Sequence, residues 1–343
     1  MATTQQARPS FRTGHFKLVA ENLSLPEGPF YCADGSLLVV QIGSGLLTRI
    51  DLASRRTTTV AKLGGGPNGC AVGPDGAIYV CNDGGFYSVD VKQSSGGSIA
   101  VALSQPANYS GGKIQRVGKD GTVRTLYTDF EGMDNPSKTW PLRSPDDLVF
   151  DSTGSFWFTD WGKDRLDQRN RDITGVYYAR PDGSSIQERI FPLKCPNGIA
   201  LSPDESRLYI AESWTRRILF WELSRPGVIK PNPATLDGSY LLTSKIPFQA
   251  GLDSMNMDRD GNLYAVSMLP NGTDPNARGG ITVVSPSGEI LEWMEINIDQ
   301  PDPLPSSICF GGPNRQTAYI TLSGTGRVVS CAMAVPGKKP AFE

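Results

Sequence analysis

The chain has 343 residues, 38 of them glycine and 26 proline, with 33 basic and 35 acidic side chains and a formal net charge of -2. Interspersed, near-balanced charge leaves no basic footprint for nucleic acid or an anionic membrane. No apolar run approaches the ~20 residues of a membrane span, and the amino terminus lacks the apolar stretch of a secretion signal, so a cytoplasmic location is expected.

In chain order, residues 1–14 read as a flexible tail, followed by a strand-like HFKLVAENL that opens on the only histidine, His15. From Pro26 onward one phrase recurs six times: a polar residue beside Pro or Gly, an apolar run, a tight turn, and a second apolar run. The copies are PEGPFYCADGSLLVV, PNGCAVGPDGAIYVC, PDDLVFDSTGSFWFT, PNGIALSPDESRLYI, LDSMNMDRDGNLYAV and SSICFGGPNRQTAYI. The second turn position always falls eight residues after the polar one: Glu27 to Gly35, Asn68 to Gly76, Asp146 to Gly154, Asn197 to Glu205, Asp253 to Gly261, Ser307 to Arg315. Each copy predicts a hairpin, and most are followed by further strand-like segments such as GLLTRIDL, GKIQRVGKDGTVRTLYT and GGITVVSPSGEILEWMEI. Four strands repeated six times predict a single all-β domain over 1–343, a six-bladed β-propeller. After the sixth hairpin only GRVVSCAM remains, so the amino-terminal strand is expected to close the ring. The longest interval, between Gly76 and Gly154, predicts an insertion in the second blade at 89–112, its Ser- and Gly-rich start read as surface loop.

Residues at one offset in every blade take equivalent places around the axis, and the first strand of each hairpin lies nearest the channel. Glu27, Asn68, Asp146, Asn197, Asp253 and Ser307 are therefore expected to form a ring. Three carboxylates and an amide converging there repel one another unless protonated or bridged by a cation, and oxygen-only ligands suit Ca²⁺, Mg²⁺ or Mn²⁺, with Zn²⁺ an alternative lacking its usual imidazole or thiolate. The bland alternative is that each Asn or Asp caps its own turn. With His15 outside the channel, a triad built on histidine is excluded. Cys32, Cys70, Cys81, Cys195, Cys309 and Cys331 stand singly, mostly in strand cores, and read as buried free thiols.

The motifs LPEGPFY, RSPDDLVFDSTGSFWFTD, PNGIALSPDESRLYIAES, LDSMNMDRDGNLYAVS and SSICFGG resemble the senescence marker protein, gluconolactonase and luciferin-regenerating-enzyme-like propellers over Pro26 to Leu322. The resemblance implies one divalent cation, calcium first, held by Glu27, Asn197 and Asp253, in an enzyme that opens a lactone. The family's third-blade motif carries asparagine where SPDD places Asp146, which makes this site more anionic. An arginine near that motif holds sugar hydroxyls in gluconolactonase-like members; Arg143 is near it, at a different spacing. On this reading Glu27, Asp146, Asn197 and Asp253 hold the metal and Asp253 activates water. Asn68, Ser307, Arg143 and Trp161 contact a small-molecule lactone or ester. The alternatives are hydrolysis of a phosphotriester or another ester on the same cation, or a non-catalytic calcium-binding propeller. Specificity is assigned to the rim loops 89–112, 161–173 and 268–279.

Overall fold

A computed structural model describes residues 10–85, 89–94, 97–102, 106–133, 137–165, 169–235, 237–244, 246, 251–269 and 277–343. Residues 1–9 of the expected tail and parts of the expected rim loops, at 95–96, 103–105, 166–168 and 270–276, lie outside the described residues, as do 86–88.

Six antiparallel sheets follow one another along the chain. Blade 1 is built from Pro26–Tyr31, Leu37–Gln41, Leu46–Ile50 and Thr57–Lys62, and blades 2 to 5 repeat the plan with inner strands Pro67–Val72, Pro145–Phe150, Pro196–Leu201 and Gly251–Met257. Blade 6 takes Pro305–Gly311, Thr317–Leu322 and Arg327–Ala332 from the carboxyl-terminal part and its outer strand, Lys17–Ala20, from the amino terminus, with Leu18 opposite Val329. The six inner strands touch in a closed circle, the first against the sixth as well as the second. The fold is a six-bladed propeller closed by the N-terminal strand, and among the described residues no helix is long and apolar enough to cross a membrane.

The strand pattern explains the packing. Along Leu37–Gln41, Leu37 and Val39 point into the wedge shared with blade 6, and Leu38 and Val40 into the wedge shared with blade 2. A strand buried on both faces needs a continuous apolar run, which is why these second strands do not alternate with polar residues. The core is divided accordingly into six wedges, one between each pair of neighbouring blades.

The constant offset of eight has a backbone cause. Gly35, Gly76, Gly154, Glu205, Gly261 and Arg315 all have φ between 54° and 87°, the left-handed region in which the turn reverses the chain. The two non-glycine exceptions are tied down: Glu205 accepts from Ser152 N at 3.0 Å, and Arg315 is paired with Glu343.

Two expectations change. Ser10 to Gly14 is not loose tail: Phe11 meets the Tyr264 ring edge-on at 6.1 Å, and its N–H donates to Glu292 Oε2 at 2.6 Å. The second-blade insertion contains a separate hairpin, Val89–Ser94 paired with Gly97–Ala102, where the Ser- and Gly-rich sequence suggested loop.

Candidate metal centre and channel mouth

In every blade the register between the inner strand and its neighbour is broken at the repeated polar position: between Glu27 and Phe30, Pro67 and Cys70, Pro145 and Leu148, Pro196 and Ile199, Leu252 and Met255, and Pro305 and Ser307. A bulge releases side chains from the two-residue alternation and re-aims them. Here it turns the polar residues toward the axis while the apolar ones beyond them stay in the wedges.

The approach of the inner strands depends on the residue after each ring position. A Cβ on Gly28, which also has φ of 48°, would sit 2.4 Å from Asn68 O. One on Gly198 would sit 2.6 Å from Met255 N and 2.7 Å from Asp253 O. Glycine at these places lets adjacent backbones close and brings Glu27 toward Asn68 and Asn197 toward Asp253.

Glu27, Asn68, Asp146 and Asn197 are buried, and Asp253 lies deep in the channel with part of its surface still open. Asn68 Nδ2 donates to Asp146 Oδ2 at 3.1 Å. Asn68 Oδ1, Asp146 Oδ1 and Asn197 Oδ1 are shielded from solvent and have no hydrogen-bond partner among the described residues. Such atoms are costly to bury unpaired. All three are acceptor oxygens, the donor type a hard cation takes. Among the described residues no group of three or more acidic, thiol or imidazole side chains is arranged to hold a metal ion by itself, so a cation here also draws on amide oxygen, with Asn197 Oδ1 unpartnered among the described residues.

Charge repulsion points the same way. Burial first, and the Asp253 charge second, raise the Glu27 carboxyl well above its ordinary range, and its own bond from Gly28 N opposes this. Asp146 is raised well above its range by burial, then by Asp253 and Glu27. Burial lifts Asp253 to about 7, against a lowering by the Asn197 amide. The site is short of positive charge.

Asp147 belongs to this electrostatic cluster although sequence reasoning passed over it. It occupies the place held by Gly28, Gly69 and Gly198 in blades 1, 2 and 4. Burial raises it to about 7, its Oδ1 accepts from Leu148 N at 2.8 Å, and its charge raises both Glu27 and Asp253. Because these folded-state values exceed the ordinary carboxyl range, the cation-free protein loses stability as pH rises from about 4 toward 7, where the folded acids ionise. In chelated protein, Asp147→Asn is therefore expected to raise the melting temperature at pH 8 by at least about 3 °C and to change it little at pH 4. Thermal melts at the two pH values check this.

The sixth ring position departs from the sequence reading. Ser306, not Ser307, stands beside Glu27, and its Oγ bonds Pro26 O at 3.0 Å. The blade-6 register shift covers one residue fewer than the others, which displaces the ring position by one. Ser307 instead lines a cavity of about 110 Å³ on the far side of the ring, with Cys70, Asp147 and Met255. That end is crossed by the C-terminal segment, where Lys338 N donates to Met257 O at 2.8 Å and Phe342 packs edge-on against Phe150. Asn68, expected to orient substrate, is committed through its amide N–H to Asp146.

The mouth lies at the end where inner strands begin. Asp160, closing the second strand of blade 3, accepts from Arg143 N, Ser144 N and Gly162 N, and so holds the approach to Asp146. Arg143 is partly exposed there, 3.9 Å from Asp172. Trp161, expected to contact substrate, is only 5 % exposed: it packs on Cys195 and donates from Nε1 to Ser213 Oγ at 3.2 Å. Trp214, beside it, is 52 % exposed. His15 is exposed, and all six cysteines are free and buried, with Cys70 and Cys81 held as thiols by burial.

The model of the SMP-30/gluconolactonase/LRE-like region matches residues 25–324. Gluconolactonase of Zymomonas mobilis is 28% identical over 329 residues, covering 90% of this chain and 78% of that one. Lactonase drp35 of Staphylococcus epidermidis is 29% identical over 248 residues, 72% of this chain, and the chain spans 64% of its length. Among solved structures, the calcium-binding protein regucalcin of Agrobacterium tumefaciens superposes with a TM-score of 0.67 over 97% of this chain and 96% of that one, at 16% identity, a likeness of fold.

Proposed function

Since the chain belongs to the SMP-30/gluconolactonase/LRE-like family, we propose that it is a metal-dependent hydrolase that opens a lactone at the axial ring. The observation that carries this reading is the set of three buried, unpartnered oxygens, Asn68 Oδ1, Asp146 Oδ1 and Asn197 Oδ1, among carboxyls that burial and mutual repulsion hold above their ordinary range. Relatives named gluconolactonase and lactonase supply the substrate class.

Glu27, Asp146, Asn197 and Asp253 would hold the cation, and calcium fits their oxygen-only chemistry best. When bound, the cation supplies Lewis-acid polarisation of the lactone carbonyl and charge balance for the oxyanion that develops on it. Asp253 takes the proton of the attacking water as its oxygen bonds to the carbonyl carbon, and the ring C–O bond breaks. The proton passes to the departing alkoxide, giving the open hydroxy acid. Asp253 suits this role because it alone among the ring's proposed acidic ligands keeps open surface. Asn68 positions Asp146 through its amide N–H.

A panel of sugar, alkyl and aryl lactones, with a phosphotriester and an acyclic ester as comparators, tests the reading. Lactone turnover that falls at least about a hundredfold on chelation is expected. Hydrolysis of the comparators alone would replace the substrate class, and lactone turnover indifferent to chelation would remove the cation from the scheme.

A further inference from the structure

Blade 3 sends the segment after Asp160 over the mouth as a short ladder, Asp164–Arg165 paired with Asn170–Arg171. Arg143, Lys163, Arg165 and Arg171 gather there around two carboxylates, Asp164 and Asp172. Asp172 is shared, with Arg165 Nη2 at 2.7 Å and Arg143 Nε at 3.9 Å. Among the described residues Lys163 Nζ has no carboxylate of its own, and it rests 3.8 Å over the Tyr109 ring. Its ammonium is pushed below its ordinary range by burial and by Arg165, with Asp172 opposing. Two further carboxylates stand in this sector: Asp160 accepts from three N–H groups, and Asp83 accepts through Oδ1 from Gly85 N.

Arg171 is the second, independent observation. Its Nε donates to Asp164, and its guanidinium carbon lies 4.3 Å over Trp161 and 5.9 Å from Trp214. Both terminal nitrogens, Nη1 and Nη2, are shielded from solvent and have no acceptor among the described residues. A guanidinium fork held over an aromatic face with both amino groups unsatisfied matches the two oxygens of a carboxylate. The chain connects this fork to the ring: Trp161 N donates to Ser144 O, two residues before Asp146, and Trp161 Nε1 reaches Ser213, whose carbonyl accepts from Leu252 N, beside Asp253.

We propose that Arg171, with Arg143, Lys163 and Arg165 around it, receives a carboxylate carried by the substrate, so that the preferred lactones are acid lactones and not neutral ones. This rests on the hydrolase reading above and names its substrate class. The half-exposed Trp214 is the side chain whose turning admits the carboxylate to the fork.

Galactaro-γ-lactone and galactono-γ-lactone share ring and stereochemistry and differ in a terminal carboxylate against a hydroxymethyl group. The wild-type kcat/KM is expected to favour the acid lactone by about tenfold or more, through KM, with the preference shrinking as salt is raised. Arg171→Gln is expected to lower that ratio at least about tenfold, and Arg171→Lys to restore part of it. Should Arg171→Gln lose its melting transition, Arg165→Gln reads the same ratio from the edge of the sector. A wild-type ratio near one, or a ratio unmoved in a folded Arg171→Gln, overturns the proposal. If neither lactone is turned over, the wider lactone panel decides the hydrolase reading, and calorimetric binding of the galactarate dianion decides the inference separately: tighter binding to wild type than to Arg171→Gln supports it, and equal or absent binding overturns it.

Discussion

Replacing Asp253 with asparagine is expected to lower kcat on a lactone by about a thousandfold or more at saturating calcium, with the propeller keeping its melting temperature. The substitution preserves shape, so the bulge between Leu252 and Met255 and the wedge behind it are undisturbed. What disappears is the negative oxygen that takes a proton from water. A second consequence separates this role from mere structure. Asp253 is the largest charge raising Asp146 and the largest charge raising Glu27, so chelated Asp253→Asn should be at least as stable as chelated wild type at pH 8. Steady-state kinetics beside thermal melts measure both. Near-wild-type turnover would end the assignment of Asp253 as base, and a collapse of stability would make it structural.

Gly198→Ala should have a comparable effect on turnover by another route. Its Cβ would press on three backbone atoms, Met255 N, Asp253 O and Ser254 C, and backbone cannot step aside as a flexible side chain can. Overpacking of this kind costs about 1–3 kcal/mol, and the strain falls between the strands that carry Asn197 and Asp253. A displacement of an ångström at a catalytic group costs about a hundredfold in rate. The expected result is a loss of about a hundredfold or more in kcat with a melting temperature lower by several degrees and a native circular dichroism spectrum. Full activity in this variant would mean that the close approach of blades 4 and 5 is irrelevant to the site.

The propeller was legible because its turn requires a left-handed residue at one position, and the chain meets that need at a constant distance from the polar residue in all six blades. Period-two alternation then assigns each strand residue to a wedge. The closing strand was legible by count, since the sixth blade has three strands and Lys17–Ala20 stood without a partner.

Bulges were not legible, because they are a property of backbone register, and they decide the fine placement of the site. They put Ser306 where alternation suggested Ser307, and they let Asp146 and its neighbour Asp147 both join one electrostatic cluster. A signal for Asp147 existed in the doublet of SPDD, where blades 1, 2 and 4 place glycine. The setting of Trp161 was not legible for a different reason. In sequence it is an aromatic residue just past a strand, and its burial depends on Cys195, Ser213 and Arg171, which only the packing of blade 4 and the ladder over the mouth bring to it. The unsatisfied fork of Arg171 is likewise invisible without coordinates.

The most direct test of the account is a titration of chelated protein with calcium, followed by calorimetry and by lactone turnover on the same sample. One ion should bind per chain, releasing protons in neutral buffer because raised carboxyls must surrender theirs to coordinate it. Turnover should rise in step with occupancy, and Glu27→Gln should weaken both together. Full turnover in the chelated protein, or calcium occupancy that leaves turnover where it was, would contradict it.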